Sequence, residues 1–394
     1  MPCRIQNDVL VEVTDDARKF LPPTKLMKRR IQYIRRKDKG AMEENIEDVV
    51  VPRLELPDGS FFNLYDNEKQ GDRLIILGSH RGLKVVARSR ILLTDGTFKS
   101  APKTLKEKWY QVFVIHAEFM ETGEIFPCLF CLMEHRKKNN YDELYKTIRR
   151  IISEKGWSFR VMADGGKMYM DMEAANKGSA KECLNDLDIC VCYFHLCGVT
   201  NKSIVDLGLK KLVFSSPIFN HHCRMINALA TVPVRFVARA FEKLREHFQA
   251  INSKALPILD YWGKNLIKGY IVEETRRLVL PTWKIEEWNI YEKIINHEET
   301  STCKLEAWHK TLDKLLMKAH PSFEEFCQVV MREWIQIEFE MDLLESGSQH
   351  NDLRFKSSKA ERKRQDRILN VATNVNNYHS IVEYLNAMAV ASKK

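Results

Sequence analysis

Between residues 90 and 212, apolar runs alternate with turn signals in an order that few folds accommodate. Arg90-Ile91-Leu92-Leu93-Thr94 reads as a short buried strand that stops at Asp95-Gly96. Gln111 to Phe119 and Ile125 to Met133 are rich in Val, Ile, Leu and Phe. They flank Glu121-Thr122-Gly123-Glu124, which makes them a hairpin. Tyr141 to Lys155 carries Leu144, Ile148, Ile151 and Ile152 at helical spacing, and Gly156 stops it. Phe159 to Ala163 is expected to be a fourth strand ending at Asp164, followed by a helix over 167–184. Ile189 to Leu196 is expected to be a fifth strand, with a helix over 201–212. Residues 215–300 break this alternation with mostly helical patterning. Two further helices, from about Thr302 to Ala319 and Phe323 to Leu344, close the fold.

The order β-β-β-α-β-α-β-α is that of a ribonuclease-H-like α/β fold, a mixed sheet flanked by helices. The domain reading places a basic arm at 1–60, the first part of the core at 61–214 and an all-helical insertion at 215–300. The closing core helices follow at 301–346, then a basic tail at 347–394 that is weakly helical near 378–390. Such a sheet brings acidic side chains to one end of neighbouring central strands. There, two divalent ions roughly 3.5–4 Å apart can clamp the attacking and leaving oxygens of a phosphodiester. Asp95 and Asp164 each end a strand, and Glu306 lies early in the helix whose buried stripe is Leu305, Trp308, Leu312, Leu315 and Leu316. An isolated Asp at a strand end is more often a turn-former; three carboxylates at topologically matched places carry more weight. Oxygen-only ligands suit two Mg²⁺ or Mn²⁺ ions.

These residues carry a resemblance. Asp95-Gly96-Thr97-Phe98-Lys99-Ser100-Ala101-Pro102-Lys103 resembles the DGTFK-x-A-P-K segment of Mutator-like element (MULE) transposases. Val161-Met162-Ala163-Asp164, Cys192-Tyr193-Phe194-His195-Leu196 and Glu306-Ala307-Trp308-His309 resemble that family's later segments in the same order, over roughly residues 20–345. The resemblance implies a DDE-type domain with Asp95, Asp164 and Glu306 as catalytic, metal-holding triad and Cys192 and His195 as its C-x-x-H signature. Asp171-Met172-Glu173 also resembles the second-aspartate motif. Asp164 is preferred because it directly follows an apolar run. The chain departs from the family at Gly198 and at Ser301-Thr302-Cys303, and Cys3 alone cannot build the zinc finger that many relatives carry before the core.

The other chemistry-bearing residues have competing readings. Cys192 and His195, with Cys190, Cys197, His221, His222 and Cys223 nearby, admit a zinc site. Their loose spacing favours packing instead, and zinc is the less favoured cofactor. Cys128 and Cys131 lie within an apolar strand and read as core. His309, one turn past Glu306, is a candidate phosphate contact. Trp262, Trp283 and Trp288 read as the core of the insertion rather than a stacking platform.

Charge is concentrated at the flanks. The formal net charge is +9, yet residues 25–39 hold eight basic residues against Asp38 alone, and residues 354–367 hold seven against Glu361 and Asp366. The remainder is therefore slightly acidic. Lys28, Arg29, Arg30, Arg35, Arg36 and Lys37 are candidate DNA-backbone contacts. A solvated face or a nuclear targeting signal explains the same run equally well. No stretch approaches the roughly 18 apolar residues of a membrane span. The opening segment lacks secretory features, and ten scattered cysteines do not make a disulfide scaffold.

The expected protein is a nuclear, metal-dependent transposase acting on double-stranded DNA at element ends and target, with a homo-oligomer compatible. A host-adopted or degenerate DNA-binding or regulatory protein without catalysis is the alternative.

Overall fold

The computed structural model describes residues 45–163, 165–185, 187–251, 253–298, 300, 303–347 and 359–393. The basic run Lys28, Arg29, Arg30, Arg35, Arg36 and Lys37 lies outside the described residues, as does Asp164.

A seven-stranded mixed sheet forms the centre. Its strands are β1 (Tyr65–Asp66), β2 (Leu74–Leu77), β3 (Ile91–Thr97), β4 (Gln111–Glu118), β5 (Ile125–Met133), β6 (Lys167–Met170) and β7 (Asp188–Val191). Their spatial order is β1-β2-β5-β4-β3-β6-β7. The β3–β4, β4–β5, β2–β5 and β1–β2 pairs are antiparallel, and β3–β6 and β6–β7 are parallel. β4 and β5 read as continuous apolar runs because nearly every residue is buried, with helices or loops covering both faces. Parallel neighbours need crossovers, and helices supply them.

In chain order the helices are α1 (His80–Arg88), α2 (Lys138–Glu154), α3 (Arg160–Ala163), α4 (Ala174–Cys183) and α5 (Tyr193–Asp206). Then come α6 (Lys210–Ser215), α7 (Pro217–Asn227), α8 (Val237–Ile251), α9 (Leu256–Trp262), α10 (Ile285–Trp288) and α11 (Tyr291–Ile295). α12 (Cys303–Leu316), α13 (Phe323–Glu345), α14 (Lys359–Thr373) and α15 (Ile381–Ala391) complete the set. α2 buries Tyr141, Leu144, Tyr145, Ile148, Ile151 and Ile152 and packs against α4. Ser79 and Ser322 cap α1 and α13, their side chains accepting from Gly82 N and Glu325 N.

Five expectations need correction. Residues 159–163 are not a strand: Arg160–Ala163 forms one helical turn, and the strand is Lys167–Met170, inside the expected helix. An apolar run this short has no periodicity to separate the two. The turn between them uses Gly165 at φ +62° and Gly166, where a Cβ would meet Val161 and the Arg90 carbonyl. β7 stops at Val191, so Cys192 is an N-cap and Tyr193–Leu196 begins α5 rather than ending a strand.

The insertion is not all helical either. It carries an exposed hairpin, β8 (Tyr270–Val272) with β9 (Arg277–Val279). Nor is the end of the chain a weakly helical tail. α15 buries Tyr384, Leu385, Met388 and Ala389 against α7 and α8, and the Tyr384 hydroxyl donates to the Thr231 carbonyl. Residues 45–56 likewise belong to the body, because Ile46, Val49, Leu54 and Leu56 join its core.

Trp262 and Trp288 are fully buried edge to face at 5.7 Å, and Trp283 is buried beside them in sequence, so all three are core. The insertion is tied to the sheet body by a buried pair. Lys177 Nζ on α4 meets Glu287 Oε2 on α10 at 2.5 Å, and Lys181 holds the other carboxylate oxygen. Among the described residues, no helix is long and apolar enough to cross a membrane.

Candidate active site

The site is built from one face of the sheet. Leu93 on β3 stands beside Tyr169 on β6 and opposite His116 on β4. Side chains two apart share a face. Asp95 therefore continues the Leu93 face, and Asp171, the first residue after β6, continues the Tyr169 face alongside it. Leu93, Tyr169, Cys190 and Leu305 form a small buried cluster beneath these carboxylates. Leu305 comes from α12, which packs on β3 and carries Glu306 one residue further on.

α12 is seated by Leu305, Trp308, Leu312 and Leu316, all buried; Leu315, expected in the same stripe, is instead 43% exposed. Trp308 lies between His116 at 5.6 Å and Phe130 at 5.3 Å, ring to ring. Helical spacing puts His309 one turn beyond Glu306, and His309 Nδ1 lies 3.5 Å from Asp95 Oδ2.

Burial dominates the electrostatics. It pushes Asp95 up to about 7; the nearby His195 opposes the rise, while the charges of Asp171 and Glu306 add to it. Asp171 is raised by burial and held back by His195 and Arg136. Glu173 is also raised by burial. Burial lowers His309 to about 4, so the Asp95–His309 contact is not a committed ion pair at neutral pH. His195 Nδ1 and His309 Nε2 are buried without a hydrogen-bond partner among the described residues.

Asp95 thus senses the charges of both Asp171 and Glu306 from a buried position. A broad cleft of about 520 Å³ opens beside it, lined by Arg136, Asp171, Glu173, His195 and Lys202 among others.

As placed, no three His, Cys, Asp or Glu side chains among the described residues lie together at metal-holding distance. The donor chemistry nevertheless fits. Three carboxylates whose negative charges repel in a buried setting form an oxygen-only set, the kind preferred by Mg²⁺ and Mn²⁺.

The cysteine–histidine set is dispersed instead. His221 Nε2 pairs with Asn386 Oδ1 on α15 at 2.6 Å, and His222 packs on Phe248 of α8. Cys190 is in the small cluster under the carboxylates, and Cys192 caps α5 and is buried. Cys128 and Cys131 are fully buried core, their thiols pushed up by burial.

Arg136, Lys202 and His116 escaped sequence reasoning, whereas Glu173 was named only as part of the Asp171-Met172-Glu173 segment. Arg136 and Lys202 carry no local signal. His116 interrupts an otherwise apolar strand, which is a visible clue.

His116 is fully buried, and both ring nitrogens lack a hydrogen-bond partner among the described residues. Burial holds its pKa well below 6.5, with the neighbouring His309 adding to the effect. Above pH 6.5 His116 is neutral in both folded and unfolded chains, so it imposes no pH dependence there. Below it, the unfolded chain binds a proton that the folded chain refuses, and stability falls by about 1.4 kcal/mol per pH unit. Denaturant titrations at pH 7 and pH 5.5 are expected to show His116→Leu losing less stability on acidification than the parent. Equal losses would contradict this placement of His116.

No family model, curated protein or solved structure matches the chain.

Proposed function

We propose that the chain is a DDE-type DNA transposase of the Mutator-like kind, built on a ribonuclease-H-like core, with Asp95, Asp171 and Glu306 as its metal-holding triad. The observation that carries this reading is the placement of Asp95 on β3 beside Asp171 at the end of its parallel neighbour β6, with the charges of Asp171 and of Glu306 on α12 both acting on Asp95. The strand order β5-β4-β3-β6-β7, with a three-stranded antiparallel meander and two parallel additions, supports it. So does the ordered resemblance running from Asp95-Gly96-Thr97-Phe98-Lys99 to Glu306-Ala307-Trp308-His309.

In this reading Asp171 takes the role first given to Asp164, because Asp171 directly follows the strand that pairs with β3. Asp95 and Asp171 present oxygens from adjacent strands, and Glu306 closes the set from the helix above. Two Mg²⁺ or Mn²⁺ ions, when bound, would activate the attacking oxygen and stabilise the leaving one. His309 holds its ring against Asp95 and stands where a phosphate oxygen of the substrate would enter. His195, in the first turn of α5, orients its ring toward the Asp95–Asp171 pair. Arg136 and Lys202 draw the DNA backbone into the cleft. Attack of water on a phosphodiester at an element end would free a 3′-hydroxyl and leave a 5′-phosphate; that hydroxyl would then attack a target phosphodiester, forming the new P–O bond as the target strand's own 3′-oxygen leaves as a hydroxyl. Double-stranded DNA is the partner and the nucleus the compartment.

The test is incubation of the purified full chain with supercoiled plasmid and with labelled duplex ends in Mg²⁺ or Mn²⁺. Metal-dependent nicking and strand transfer are expected, and EDTA should abolish both. DNA binding with no metal-dependent nicking would instead favour an adopted, non-catalytic DNA-binding protein.

A further inference from the structure

One group of side chains stands exposed on the rim of the site. Phe98 follows the end of β3, Tyr110 directly precedes β4, and Arg136 lies three residues past β5. Thr97 is paired with Val112, and Gln111 with Met133. All three side chains therefore stand at the same end of neighbouring strands, the end to which Asp95 points the chain. Phe98 and Tyr110 meet edge to face at 5.5 Å, and the Arg136 guanidinium lies 5.8 Å and 5.2 Å from their ring centres.

Such a cluster is usually buried. Here Phe98 is 47% and Tyr110 39% exposed. Arg136 has no ion-pair partner among the described residues and also lines the carboxylate cleft. The loop joining β3 to β4 adds a second observation. Lys103 and Lys108, both exposed, sit directly across an isolated antiparallel bridge. Like charges so paired repel unless an anion lies between them.

We infer that Phe98, Tyr110 and Arg136 form a stacking ledge for an unpaired nucleobase of the strand entering the cleft, with Lys103 and Lys108 neutralising its phosphates. The inference rests on the proposed function and deepens it. Carboxylates buried at the sheet edge are reached more readily by a single strand than by an intact duplex. Only an unpaired base exposes a ring face that can stack on one of these two mutually perpendicular rings, and stacking of this kind is tolerant of sequence. The ledge would hold the strand open next to the phosphate being cut.

The test uses the full chain in EDTA, so that no cleavage intervenes, with oligonucleotides carrying 2-aminopurine at successive positions. Wild-type protein is expected to quench one position strongly and to bind a frayed or single-stranded end more tightly than blunt duplex. Phe98→Leu and Tyr110→Leu, both at exposed positions, should each weaken single-strand binding roughly tenfold and relieve the quench. Phe98→Trp should keep both. Wild-type affinity and quenching in the Leu variants would overturn the ledge while leaving the transposase reading intact. Loss of all DNA binding by the wild-type protein would overturn both.

Discussion

Asp171→Asn is expected to reduce metal-dependent DNA nicking by roughly 10³-fold, the scale seen when one preorganised charged or polar group is removed from a transition-state site. Asp164→Asn should leave the rate within about twofold of the parent. The substitution preserves side-chain shape, removes the negative charge and turns one carboxylate oxygen into an amide nitrogen. Fold integrity should therefore survive, and a thermal melt within a few degrees of the parent would establish that. The physical basis is register. Ile91, Leu92 and Leu93 pair in parallel with Lys167, Met168 and Tyr169, and stepping two residues on brings position 171 beside position 95. The raised Asp95 and Asp171 pKa values have burial as their first cause, and the charge of Asp171 adds to the rise at Asp95. Removing Asp171 should thus also lower the pKa of Asp95 in metal-free protein, which a carboxyl-resolved NMR titration would read. If Asp164→Asn silenced nicking and Asp171→Asn did not, the triad would have to be reassigned.

The sequence displayed this sheet unevenly. β4 and β5 were plain because each is a long apolar run bounded by turn residues, and Asp95 was plain because an apolar run leads into it, although β3 does not stop there but continues to Thr97. β6 was hidden: Lys167-Met168-Tyr169-Met170 has neither alternation nor β-branched residues, and becomes a strand only by pairing between β3 and β7. That one misplacement is why Asp164, following the expected strand, was preferred to Asp171, which follows the observed one. Glu306 was found through the stripe on its helix, whose four buried members were legible. Leu315 was misjudged because α12 is covered on a narrower face than an apolar count implies. Arg136 and Lys202 could not be found in the sequence, since only the meeting of the β5–α2 connection with α5 gives them a shared cleft. The docking of α14 and α15 was equally invisible, because a run rich in Arg and Lys conceals how much apolar surface follows it at Ile381–Ala391.

Trp308→Ala is expected to destabilise the sheet body by about 3–5 kcal/mol, the usual cost of emptying a buried Trp site. Trp308 is 1% exposed and wedges between the His116 and Phe130 rings, so its loss opens a cavity directly under α12. Trp308→Phe should cost well under half as much. The indole Nε1 has no hydrogen-bond partner among the described residues, and Phe gives up volume without breaking a bond. Urea titration reads the difference as a lower midpoint at unchanged slope; an alanine penalty below about 1 kcal/mol would show that α12 is not seated through this ring. The same substitution separates fold from chemistry. Glu306 is carried by α12, which packs on β3 and on α13, whereas Asp95 lies within a paired strand and Asp171 directly follows one. At a temperature where Trp308→Ala remains folded, nicking should therefore fall further than the folded fraction does, because one of the three carboxylates has lost its fixed position while the other two keep theirs.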